Sequence, residues 1–253
     1  MTKQGYPLIP LDHKCNVLRF ENPGIWAFEK GCGILSHPNK ESNKGSRPRT
    51  LLNADYNHQD ECYRWIDKEG ISQSLYLVHR LDSPTSGIII GATSEDIAFQ
   101  IKELFAKKEV KKTYFALIRP RGSIRQGLWK DNLREKREDG KVRVWKGNGS
   151  TAITNASIER QRSGLNGIAM LRLEPKTGRT HQLRVQCALR GMPIIGDKNY
   201  GDFNFNRKIA RASKVDRLCL HAGEIEFTIK IENQKTHFFA DSPLPRSMGK
   251  LLY

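Results

Sequence analysis

One carboxylate stands out for its setting. Asp82 lies in Leu77-Val78-His79-Arg80-Leu81-Asp82-Ser83-Pro84-Thr85-Ser86-Gly87, between apolar runs at 75–78 and 88–92. A β-rich segment enters the turn and another leaves it. Ser83-Pro84 and Ser86-Gly87 are turn formers, because proline presets φ and glycine accepts positive φ. The loop should therefore be tight and its side chains well placed. An ionised carboxylate held this way can serve as nucleophile or base. It can equally cap the turn as an Asx motif, with no chemistry at all.

A second candidate is Arg184, in Leu173-Glu174-Pro175-Lys176-Thr177-Gly178-Arg179-Thr180-His181-Gln182-Leu183-Arg184. Thr180 as N-cap, Gly191 as stop and Pro193 just beyond predict a short helix over 181–190. At about 100° per residue, Gln182, Gln186 and Arg190 share one side, and Leu183, Val185, Cys187, Ala188 and Leu189 occupy most of the rest. Arg184 falls roughly opposite the polar sector. A guanidinium there needs a carboxylate or phosphate partner, unless it snorkels its head to water.

The elements that must position these groups are legible in outline. Residues 16–20 and 25–29 read as a hairpin across Asn22-Pro23-Gly24, and residues 38–58 as a long mobile surface loop. A helix is expected at about 60–69, and another from Ser94 with Ile97, Ile101, Leu104 and Phe105 in one stripe. Residues 113–118 are strand-like, with Tyr114 on the face opposite Thr113 and Phe115. By default such a tyrosine is a half-buried core residue. The charged stretch 130–149 suggests an exposed hairpin or loop. Segments 150–159 and 167–174 read as neighbouring antiparallel strands joined by Ser163-Gly164-Leu165-Asn166-Gly167, and 218–231 and 236–240 as the last strands.

Composition narrows the partners. The chain has 253 residues, 38% of them hydrophobic, enough to bury a substantial core in one large or two small domains. No run of 18 apolar residues exists, and Met1-Thr2-Lys3-Gln4 lacks a signal-peptide apolar region, so a soluble, cytoplasmic protein is expected. Five cysteines without a Cys-x-x-Cys pair suggest neither a disulfide framework nor zinc, and most should be small core residues. Histidine spacing suggests no metal either. Forty-three basic against 27 acidic residues give a net charge of +16, which attracts polyanions and makes binding salt-dependent. Basic residues cluster at 107–112, 119–125, 130–146 and 207–217. Each cluster alone is ordinary for a solvated face. Nucleic acid is the expected partner, since no basic amphipathic helix with a bulky apolar face points to a membrane.

Taken together, the two motif segments resemble the RluA-type pseudouridine synthases. His79-Arg80-Leu81-Asp82 with Thr85-Ser86-Gly87 matches the family's hallmark loop, and Gly178 to Arg184 its Gly-Arg-Thr-His-Gln-(Leu/Ile)-Arg motif. Lys112-Thr113-Tyr114-Phe115-Ala116 matches Lys-x-Tyr-x-Ala, and Gly196-Asp197 with Tyr200-Gly201 matches Gly-Asp-x-x-Tyr-Gly. Four motifs agree in order and spacing over about 130 residues. Two departures stand out: Glu29-Lys30-Gly31-Cys32-Gly33 replaces the usual Asn-Lys-Pro-x-Gly, and Gln186 replaces a usual His.

The resemblance implies an α+β fold, a mixed and mostly antiparallel sheet flanked by helices with a central RNA-binding cleft. It implies one catalytic domain over 15–253 after an extension at 1–14, without the S4-like module of many relatives. The implied activity is isomerisation of uridine to pseudouridine, without a cofactor, by a monomer. Asp82, Tyr114 and Arg184 are the implied catalytic residues: Asp82 acts at the ribose, Arg184 keeps it ionised, and Tyr114 stacks on the uracil. Arg80, His79, Arg179, His181, Lys111 and Lys112 are the implied RNA contacts. Ribosomal RNA is the first expected substrate, on the run from Tyr200 to Ala222, and transfer RNA the next. A non-catalytic RNA-binding or ribosome-assembly protein of the same fold is the competing reading; a desolvated carboxylate argues against it. A zinc deaminase lacks its ligands here.

Overall fold

The computed structural model describes residues 9–39, 48–138, 141–161, 167–231 and 234–252. Two compact units make up the chain, residues 1–110 with 226–242 and residues 111–225 with 243–253.

The first unit opens with the expected hairpin, β1 (Asn16–Glu21) and β2 (Ile25–Lys30), with Phe20 opposite Trp26. Then follow β3 (Asp55–Asn57), β4 (Cys62–Ile66), β5 (Ser72–Leu77), β6 (Ser86–Ala92) and helix α1 (Glu95–Lys107). Strands β3, β4, β5 and β6 pair antiparallel in that order, and β2 also pairs with β6. All seven residues of β6 are buried, as a strand without polar alternation requires. Ser94 caps α1 through Ile97 N–H, and Ile97 and Ile101 are buried as the stripe predicts.

Two expectations fail in this unit. The helix expected at 60–69 is the hairpin β4–β5, because Asp67-Lys68-Glu69-Gly70 forms its turn rather than a polar helical face. The Asp67 carboxylate accepts the N–H groups of Glu69 and Ile71, and Gly70 has φ +77°. The long loop at 38–58 is in part a packed segment. Leu51 and Leu52 are fully buried, and Leu51 donates its N–H to the Leu35 carbonyl and accepts Asp12 N–H at its own carbonyl. Two leucines outweigh the polar composition around them. Residues 40–47 lie outside the described residues.

The second unit contains β7 (Lys111–Ile118), β8 (Gly127–Glu138), β9 (Lys141–Lys146), β10 (Ser150–Gln161), β11 (Ala169–Pro175), α2 (Gln182–Leu189) and α3 (Phe203–Ser213). Next, β12 (Leu220–Ile231) begins in the second unit and ends in the first, where β13 (Gln234–Asp241) pairs with it, and α4 (Arg246–Leu252) closes the second unit. Strand order in the second unit is β12-β7-β11-β10-β8-β9. The exposed hairpin expected at 130–149 is β8–β9, and the antiparallel pair expected at 150–174 is β10–β11; residues 163–166 of its connection lie outside the described residues. One core runs from Ala116 and Leu117 through Leu171, Leu183 and Ile194 to Met248. Among the described residues the strands and four helices form an α+β fold.

Candidate active site

The loop bearing Asp82 is held by its backbone. Strand β5 delivers it and β6 takes it away, and the Asp82 carbonyl accepts Thr85 N–H at 3.0 Å, closing the turn. Ser36 Oγ bonds both the N–H and the C=O of Leu81, each at 3.0 Å, and Tyr63 Oη bonds the Ser36 carbonyl. Lys30, fully buried, donates Nζ to the carbonyls of Ile34 (2.7 Å), Ser83 (3.0 Å) and Gly31 (3.1 Å). The segment that departs from the usual first motif thus still braces the turn. Asp82 is half-buried on this frame.

The neighbouring motif residues divide in role. His79 Nε2 accepts Ile90 N–H at 3.0 Å and its ring stacks on Phe105, so it serves the fold. Arg80 is exposed, and its Nη1 lies 3.3 Å from His37 Nε2. His37 Nδ1 is 2.7 Å from the Pro38 carbonyl, which can only accept; Nδ1 therefore carries the proton and Nε2 the lone pair that meets Arg80. The His37 ring stacks on Tyr56, which meets His58 and Tyr63 edge-on. Burial pushes His37 below its ordinary 6.5, and the Arg80 charge adds to that.

In the second unit Tyr114 follows the alternation of β7 and pairs with Leu173 of β11, half-buried against the core. Arg172 of β11 bonds Thr113 of β7 at 3.2 Å and Glu224 of β12 at 2.7 Å, linking three strands. Lys111 is exposed, and burial with the nearby Lys176 pulls Lys112 below the usual lysine value.

Arg184 has the carboxylate that its buried position demands. It forms a two-bond pair with Asp197, both side chains almost wholly buried. Asp197 also accepts the N–H groups of Asn199 and Tyr200. Burial raises its carboxyl pKa, but the Arg184 bonds and charge and these two N–H groups hold it below the usual range. Gly196 precedes it at φ +76°, where a Cβ would lie 1.7 Å from the Arg217 carbonyl oxygen, so glycine is required.

Helix α2 starts one residue later than expected. His181 occupies the N-cap at φ +51° without a side-chain cap bond, and its Nδ1 lies 2.8 Å from Tyr200 Oη. The polar side of α2 is buried against β10 and β8. Gln182 bonds Thr177, Arg179 N–H, Ile153 C=O and Thr154; Gln186 bonds Thr154 and Asp131. Arg190 completes the chain on Asp131 at 2.9 Å. Gln186 is thus an anchor, and the exposed Arg179 donates Nε to the Thr151 carbonyl at 3.3 Å.

Sequence reasoning missed Lys30, Ser36 and His37. A lysine closing the apolar run Ile25–Phe28 was the available signal for the first. His37 and Ser36 carried none, because their roles arise from contacts with residues more than 40 positions away.

A profile of the RNA pseudouridylate synthase family matches residues 24–189, two thirds of the chain and the span that carries the Asp82 loop, Tyr114 and Arg184. The chain belongs to that family. It is an isomerase that converts uridine to pseudouridine in RNA. Among relatives, tRNA pseudouridine synthase C of Vibrio cholerae is 30% identical over 220 residues, covering 82% of this chain and 83% of that protein. A ribosomal large subunit pseudouridine synthase C of Buchnera aphidicola is 32% identical over 246 residues, covering 92% and 70%. The solved structure of human RNA pseudouridylate synthase domain containing 1 shares the fold, with TM-score 0.63 at 19% identity over 92% of this chain and 86% of that one. Among the described residues no helix of the synthase is long and apolar enough to cross a membrane.

Proposed function

We propose that this synthase modifies a structured transfer or ribosomal RNA with Asp82 as its reacting carboxylate. In the reaction the N1–C1′ bond breaks, the uracil turns, C5 bonds C1′, and the proton from C5 is replaced by one on N1. Asp82 acts at the ribose as nucleophile or base. A glycosidase usually needs a second carboxyl to protonate a leaving oxygen; here the leaving group is a nitrogen of the base that is retained. Tyr114 stacks on the uracil. Arg184, fixed by Asp197, is the third catalytic residue of this reading. Arg80, Arg179, His181, Lys111 and Lys112 meet the RNA, while His79 shapes the loop from which Arg80 projects.

The observation that carries this reading is the frame around Asp82, in which Lys30 and Ser36 hold the backbone on both sides of a half-buried carboxylate. A turn-capping aspartate has no need of it. Residues 15–253 act as one catalytic domain in this reading, in a cytoplasmic monomer. The similar proteins include enzymes named for transfer RNA and for large-subunit ribosomal RNA, so both pools belong in the test. Tritium release from C5-labelled RNA should occur with one pool and vanish in Asp82→Asn, which retains shape and loses charge. Substantial turnover by the variant would refute the role of Asp82.

A further inference from the structure

The ribbon of β8 and β9 has two unlike faces. Cross-strand partners share a face and every second residue returns to it. On one face Leu133 and Val144 are buried with Ala152 and Val185, and Val144 N–H donates to Tyr200 Oη at 3.0 Å. This face looks toward α2 and the motif Gly178–Arg184. The opposite face carries Lys130, Asn132, Arg134 and Lys136 from β8, with Trp145 opposite Arg134 and Arg143 opposite Lys136 from β9. All six are exposed, and Trp145 leaves 41% of its surface in water. Lys136 meets Glu138 at 2.5 Å.

A single exposed apolar residue is ordinary. An indole lying among arginines and lysines on a flat strand surface has the composition of a platform for unpaired nucleotides: a π-face for a base and cations for the phosphates on either side. Next to Trp145 and Arg134, at Gly147, begins an open recess of about 400 Å³ lined by Lys130, Asp131, Asn132, Lys146, Gly147 and Asn148. The Asp131 carboxylate there is already engaged by Arg190 and Gln186. Lys130 and the amide N–H groups of Asn132, whose oxygen accepts the Thr151 hydroxyl, line its outer side and can meet an anion.

We propose that this outer face binds a single-stranded stretch of the substrate RNA, one base stacked on Trp145 and adjoining phosphates held by Arg134, Arg143 and Lys130. The inference rests on the synthase acting on RNA, and adds a contact surface on the side of the ribbon facing away from the motif Gly178–Arg184. Stacking tolerates any base, so the face supplies affinity and register rather than sequence choice.

The test uses the full chain, a fluorescein-labelled oligouridylate of about ten nucleotides, and heparin as a polyanion without bases. Anisotropy is followed across a salt series. Trp145→Ala should bind the oligonucleotide about tenfold more weakly and heparin as wild type does, with Trp145→Phe recovering most of the loss. Arg134→Ser with Arg143→Ser, both on exposed side chains, should weaken both ligands and flatten the log Kd against log salt slope by about 0.7 per lost phosphate contact. Oligonucleotide binding by Trp145→Ala within twofold of wild type would overturn the proposal. So would equal losses on heparin and oligonucleotide, or a wild-type chain that binds heparin alone. The readout is independent of turnover: loss of binding in Trp145→Ala without tritium release by wild type from either pool would retain this face and refute the proposed transfer or ribosomal RNA substrate.

Discussion

Arg184 and Asp197 meet through two parallel hydrogen bonds, Nε to Oδ2 at 2.8 Å and Nη2 to Oδ1 at 2.9 Å, with 5% and 1% of their side-chain surfaces exposed. The pair ties helix α2 to the Gly196–Gly201 turn. Removing one partner strands a buried charge, which costs about 3–5 kcal/mol. Asp197→Asn should therefore lower stability by that order in urea unfolding, with loss of activity even where the variant is folded. A change below about 1 kcal/mol would show that the pair is dispensable.

The same pair sets an acid limit. The folded-state pKa of Asp197 is depressed, so its contribution is fully present above the unfolded value of about 3.9 and is lost as pH falls through the folded value. Unfolding free energy of wild type should drop steeply below about pH 4. In Asp197→Asn the slope in that range should be shallower by the share of one proton.

Lys30 supports the Asp82 loop through the Ser83 carbonyl. Lys30→Met retains the apolar stem and deletes the donor, leaving the carbonyls of Gly31, Ile34 and Ser83 without it. The expected outcome is a kcat lower by about 10–100-fold with KM changed far less, because the loop moves while RNA contacts persist. A loss confined to KM would assign Lys30 to RNA binding instead.

His37 holds Arg80 only while its Nε2 is unprotonated. Its pKa lies below the ordinary 6.5, so at neutral pH the ring is an acceptor; on acidification it becomes a cation that repels Arg80. His37→Ala should raise KM for RNA about two- to tenfold at pH 7.5, the worth of one hydrogen bond. Below pH 6.5 wild-type KM should climb toward that of the variant, whose own KM follows pH less. Parallel profiles would show that another group is titrating.

Thiol reactivity reports on the cores. Cys15, Cys62, Cys187 and Cys219 are buried, and burial pushes the Cys187 thiol up to about 12. Of the five cysteines, Cys32 alone is partly exposed. With an aromatic disulfide reagent at pH 8, one thiol should react quickly and four only after denaturation. Fast release of more than one equivalent would contradict the packing around these cysteines.

By itself the sequence determined what is written in short-range pattern. The turn at Asp82 between two β-rich runs, the β1–β2 hairpin, the stripe of α1, the alternation that places Tyr114 and the pairing of β10 with β11 all follow from periodicity and turn chemistry. It also stated that Arg184 needs either an anionic partner or a path for its head to water, because the cost of a lone buried charge is general. Tertiary structure decided which partner: Asp197, thirteen positions on, inside a turn that only glycine at 196 permits. It decided that Leu51 and Leu52 are core within a polar stretch, that Cys62–Ile66 is a strand, and that the polar side of α2 lies buried on Thr154 and Asp131. Lys30 and Ser36 became braces of the Asp82 loop for the same reason. Local pattern records which face of an element is apolar, whereas burial and hydrogen-bond partnership depend on residues brought together from tens of positions apart, and no window of a few residues contains them.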